Sequence, residues 1–70
     1  MEQIKWDKVF IEIEYKDESS FTFDVLSHAE TKSSFFAEIM MITRGTLMAS
    51  NAYKATAYDK NGFPIAAYCK

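Results

Sequence analysis

Side chains able to do chemistry are few in this chain. His28 is the only residue whose ordinary pKa lies near neutrality, and general acid–base catalysis would need it beside a nucleophile or a carboxylate. It follows Ser27 in a stretch that reads as a first helical turn, where an imidazolium would oppose the helix dipole, so it reads as solvent-facing. Cys69 is the single cysteine; it excludes an internal disulfide and has no metal-ligand spacing with His28. Near the end of a last strand it reads as a small buried apolar residue. Ser19-Ser20 and Ser33-Ser34 read as turn and helix-surface serines. The two glycines, Gly45 and Gly62, make no phosphate-cradling loop. What remains is acidic: Glu12, Glu14 and Asp24 fall on alternating positions, with Asp17 and Glu18 between them. Carboxylates in that pattern either solvate a sheet surface or meet a basic partner. No catalytic residue, cofactor or metal is expected.

Alternation also defines the elements that must position those carboxylates. In Val9-Phe10-Ile11-Glu12-Ile13-Glu14-Tyr15, the residues Val9, Ile11, Ile13 and Tyr15 share one face of a strand, and Phe10, Glu12 and Glu14 share the other. Lys16 to Ser20 is polar and turn-like, after which Phe21, Phe23 and Val25 return along the buried face and Thr22 and Asp24 along the outer one. A β-hairpin with an apolar face and an acidic face follows. Same-sign charges on adjacent strands would repel across it, and a basic groove in a partner would relieve that repulsion.

Ser27-His28-Ala29-Glu30 has capping-box spacing and predicts a helix start. Phe35, Phe36, Ile39, Met40 and Ile42 supply its apolar stripe, with Lys32, Ser33 and Glu38 outward and Met41 pointing away. Gly45 is the expected terminator, and Arg44 would then lie in the last turn. Asn61-Gly62 predicts a type I′ hairpin between strands at 51–58 and 63–69, with Pro64 placing the last strand at an edge or starting it only after that residue. Ala55 and Ala57 would let the helix approach closely. Thr46 could instead cap a second short helix over Leu47 to Ala52. Trp6 either covers an open end of the core or anchors a contact. The predicted architecture is α+β, in the order β-β-α-β-β, with a single helix packed on an antiparallel sheet.

Length and charge bound the class. Seventy residues make one domain, 1–70, and leave little core for a deep pocket. A net charge of −2 disfavours direct nucleic-acid binding. No apolar run spans a bilayer and no secretory leader is read, so the expected location is the cytoplasm.

Two stretches are similar to a known family. Lys8-Val9-Phe10, continuing through Tyr15-Lys16-Asp17-Glu18-Ser19-Ser20-Phe21-Thr22-Phe23-Asp24-Val25, resembles the opening hairpin of the Dmd antitoxins, the discriminators of mRNA degradation carried by T-even-like phages. Asn51-Ala52-Tyr53-Lys54-Ala55-Thr56-Ala57-Tyr58-Asp59 and the terminal Cys69-Lys70 resemble that family's asparagine-led third strand, aromatic-Asp turn and final cysteine. The middle departs from the pattern, with Phe35 and Phe36 where a tryptophan is expected. The resemblance implies a non-enzymatic protein, acting in the infected bacterial host, that wedges into the cleft of a host endoribonuclease toxin of the RnlA or LsoA kind and so protects phage mRNA. It implies toxin contacts by Asn51 and by Phe35 or Phe36; the acidic set Glu12, Glu14 and Asp24 joins them as partner-binding candidates on its charge pattern alone. A monomer is the simplest state, the fourth strand being the edge where a second copy could pair. Two other readings remain open: a different small phage inhibitor, directed against CRISPR or restriction systems through the acidic face, and a small enzyme or redox factor using His28 or Cys69.

Overall fold

In the computed structural model, residues 8–27 and 29–70 are described, so the expectations for Trp6 and His28 lie outside the described residues. The elements follow the predicted order: β1 (Lys8–Glu14), β2 (Ser20–Leu26), α1 (Lys32–Ala49), β3 (Lys54–Tyr58) and β4 (Pro64–Cys69). The four strands form one antiparallel sheet in the order β2-β1-β3-β4, with the helix on one face. The β4 strand is an edge and starts at Pro64, where the missing amide hydrogen costs no ladder bond.

The core is built from the alternation of β1. Val9, Ile11, Phe35, Ile39 and Ala57 form one buried cluster, and Ile13, Leu47, Ala52 and Ala55 a second. Early helix residues thus lie over early β1 residues and late over late, so α1 runs alongside β1 in the same sense. Ala55 and Ala57 are fully buried, the close approach their small side chains predicted. Thr43 is buried within the helical stripe, its hydroxyl donating to the Ile39 carbonyl at 2.6 Å. That internal bond satisfies a polar group in a dry place.

Several local expectations are corrected. The helix starts at Lys32 rather than at Ser27: the Thr31 side chain accepts from the Ser34 amide at 3.0 Å, while the Ser27 hydroxyl accepts from the Ala29 amide in a tight turn. Gly45 does not end the helix. The buried residues Phe35, Ile39, Thr43 and Leu47 keep a four-residue spacing through it, and docking Leu47 against Ile13 and Ala55 carries α1 on to Ala49. Arg44 therefore lies in the helix interior, and Thr46 to Ala49 continue α1 rather than opening a second short helix. The chain leaves at Ser50, whose amide and hydroxyl both donate to the Leu47 carbonyl. The third strand begins at Lys54, not Asn51.

The Asn61-Gly62 turn is not type I′, because Gly62 (φ 86°) has positive φ and Asn61 does not. The loop has three residues. Asp59 donates its amide to the Phe63 carbonyl at 2.9 Å, and its carboxylate accepts from the amides of Asn61 and Phe63. The first hairpin closes in the same way. Tyr15 donates to the Ser19 carbonyl, Glu18 to the Tyr15 carbonyl, and Glu18 (φ 73°) takes the left-handed position that Gly62 fills in the other loop.

The helix packs on β1, β3 and β4 and leaves β2 uncovered. This explains two exposures that alternation alone does not predict. Phe21 is on the expected face of β2 yet 59% exposed, since only Phe23 and Val25 of that strand reach the core. Met40, expected in the core, is 47% exposed on the flank of the helical stripe. Met41 points away, as expected.

Candidate functional site

Among the described residues, no element packs on the sheet face opposite the helix, which carries the acidic set. Strand register arranges it in rows running β2 to β1 to β3 to β4: Asp24, Phe10, Tyr58 and Pro64; then Thr22, Glu12, Thr56 and Ala67; then Ser20, Glu14, Lys54 and Cys69. One end is therefore aromatic and the middle and far end are polar. Leu26, 57% exposed beside Lys8, extends the apolar end.

The anticipated cross-strand repulsion does not arise in this register. Opposite Glu12 stands Thr22, opposite Glu14 stands Ser20 and opposite Asp24 stands Phe10, so no two carboxylates face each other. Each acid also has a partner within the sheet. Lys8 Nζ lies 3.7 Å from Asp24, Lys54 Nζ lies 3.9 Å from Glu14, and the Tyr58 hydroxyl donates to Glu12 Oε1 at 3.3 Å. Exposed pairs of this kind contribute roughly 0–1 kcal/mol each and are screened by salt. The face is thus mildly acidic and self-compensated. Burial raises the Tyr58 pKa above the usual tyrosine range, and the nearby Glu12 and Glu14 charges raise it further. At the hairpin tip, the Ser19 hydroxyl and amide lower the Asp17 pKa by hydrogen bonding to its carboxylate.

The remaining candidates lie elsewhere. Phe35 is 1% exposed and fills the core, so it presents no surface to a partner. Phe36 is half-buried beside it, ring centroids 5.5 Å apart, with the Lys32 ammonium 5.9 Å from its centroid. Asn51 is exposed just past the other end of α1, whose stretch from Phe36 to Ala49 spans roughly 20 Å. It lies near the end of the open face, where Tyr53 donates to the Glu14 carbonyl and the Lys70 amide to the Tyr53 carbonyl. Asn51 and Glu14 thus share one end of the molecule, whereas Phe36 belongs to the other end and to the helix layer. Cys69, expected buried, is exposed because β4 ends at the sheet edge on the uncovered side.

Phe10, Tyr58, Lys8 and Lys54 were not singled out from the sequence as site residues. Alternation placed Phe10 outward with the acids; the others join them only once the β1–β3 and β1–β2 registers are known. Among the described residues, no group of His, Cys, Asp and Glu could hold a metal ion, and no helix is long and apolar enough to cross a membrane. Comparison with protein-family models, curated proteins and solved structures gives no match.

Proposed function

We propose that this protein is a phage antitoxin that binds a host endoribonuclease toxin of the RnlA or LsoA kind and blocks its cleft without catalysing a reaction. The resemblance of the opening hairpin and of the Asn51–Asp59 stretch to the Dmd family motivates the reading. The structural observation that supports it best is the sheet face on which no described element packs, which sets the aromatic row of Phe10 and Tyr58 beside Glu12, Glu14 and Asp24. A compact body with such a face suits a basic trench built for RNA: the carboxylates speed association and the rings supply contact area. Asn51, at the Glu14 end of that face, is positioned to extend it. The helix contact passes to Phe36.

Co-expression with toxins of this class tests the reading. The expected result is restored growth and a co-purifying complex; failure of both with every such toxin would overturn it. Asn51→Ala is expected to weaken the complex by about 1–3 kcal/mol while leaving the circular dichroism spectrum unchanged. The acidic face also supports inhibition of a different nucleic-acid-processing enzyme, in a CRISPR or restriction system. Reversing Glu12, Glu14 and Asp24 to lysine distinguishes a phosphate-mimicking mode, since inhibition that survives the reversal does not depend on those charges.

A further inference from the structure

The β2 strand is an edge of the sheet, and no described strand pairs beyond it. It contains no proline, its seven-residue pairing with β1 is unbroken, Asp24 is its one charged residue, and on its inner face Phe23 and Val25 reach the core while Phe21 stays exposed. The other edge, β4, begins with Pro64 and is interrupted by an irregularity at Ala57/Tyr58. Along β2, Phe21 and Phe23 stack with ring centroids 6.1 Å apart on the helix side of the sheet, Phe23 against the core and Phe21 exposed beyond the edge of the helix.

Hydrogen-bond alternation fixes which groups are available. The Tyr15–Ser19 bond at the turn sets the phase of the hairpin, so the odd-numbered residues of β2 direct their backbone groups to β1. Ser20, Thr22, Asp24 and Leu26 direct theirs to the open edge. A second strand must pair with those four, and the sequence of β2 can pair with itself in only a few ways that do so. Centring the pairing on Asp24 sets two carboxylates against each other; centring it on Thr22 leaves Leu26 without an opposite residue. Centring it on Phe23 matches Ser20 with Leu26 and Thr22 with Asp24, using all four. It also places Phe21, Phe23 and Val25 against Val25, Phe23 and Phe21 of the second copy, and no like charges meet.

We propose that β2 is a homodimer interface, in which two copies join edge to edge and antiparallel about a two-fold axis at Phe23, merging two four-stranded sheets into one. Self-complementarity of the same patch is the requirement for a two-fold contact, and β2 meets it in charge and in apolar pattern. This proposal is independent of the antitoxin reading. Sedimentation equilibrium of the purified full chain from micromolar to millimolar concentration tests it, with a mass rising from 8.1 kDa toward twice that value as the expected result.

Substitutions at Thr22 test the register. Each Thr22 faces Asp24 of the second copy, so Thr22→Lys creates two attractive pairs and Thr22→Asp two repulsive ones. The dimer dissociation constant is expected to fall about ten-fold in the first and rise about ten-fold in the second, with circular dichroism confirming that both variants fold. A mass of 8.1 kDa at every concentration would overturn the interface. So would a dimer whose affinity shifts in the same direction in both variants, or in neither.

Discussion

Tyr58 is the residue at which the open face and the stability of the fold meet. Its hydroxyl bonds Glu12 across β1 and β3, and its pKa is raised, first by burial and then by the acidic neighbours. The phenol holds its proton more tightly in the folded state than in the unfolded one, whose value is near 10. Its contribution is fully present below that pH and is lost as pH rises through the higher folded value. Wild-type stability is therefore expected to fall more steeply between about pH 9 and pH 11 than that of Tyr58→Phe, as urea midpoints at the two values would measure. Equal slopes would mean that the hydroxyl is as free to ionise in the folded protein as in the unfolded chain. The residue scale is also where sequence reading was weakest. Glu12, Glu14 and Asp24 were legible as one face from period-two spacing, but their partners Lys8, Lys54 and Tyr58 were not, because pairing depends on register and on diagonal reach between strands. Cys69 and Met40 were misplaced for a related reason: composition says that a side chain is apolar, and only the position of the covering layer says whether it is enclosed.

At the level of elements, β1, β2 and β4 were legible to within a residue or two, since alternation and turn composition act locally. The helix was legible in its middle and wrong at both ends. Ser27 and Gly45 have the right chemistry for caps, but Thr31 takes the N-terminal role, and Leu47 gains more by docking on Ile13 and Ala55 than the chain loses by running a glycine through the helix. The helix runs to Ala49 and the chain turns through residues 50–53, so β3 starts at Lys54 and not at Asn51. Gly45 now sits exposed in the helix interior, and a β-carbon built there meets nothing within 4 Å. Gly45→Ala should stabilise the protein by about 0.5–1 kcal/mol, raising Tm by roughly 2–8 °C for a domain of this size. Thermal melts followed by circular dichroism would check this; a lower Tm would indicate that the helix relies on glycine to bend or end there. The turns show the same interplay: Asn-Gly announced a hairpin correctly, but the Asp59 carboxylate, by holding the amides of Asn61 and Phe63, selects a three-residue loop over the two-residue one.

At the scale of the molecule, the described residues make two layers, one helix on four strands, and the layers are not of equal width. The face away from the helix carries the surface on which the antitoxin reading rests, while on the helix side the cover stops short of β2. That lateral offset has a kinetic consequence. A strand held by one neighbour and by the partial burial of Phe23 and Val25 can open without disturbing the clusters around Ile39 and Leu47. Such local opening sets hydrogen-exchange protection. In dilute solution, the amides of Phe21, Phe23 and Val25 are expected to exchange well before those of Ala55 and Ala57, which lie in an interior strand beneath the helix. Uniform protection across both strands would show instead that the sheet opens as one unit. The β2 strand is thus expected to behave as the loose margin of the sheet, and anything that engages it should slow its exchange while leaving the deeper strands unchanged.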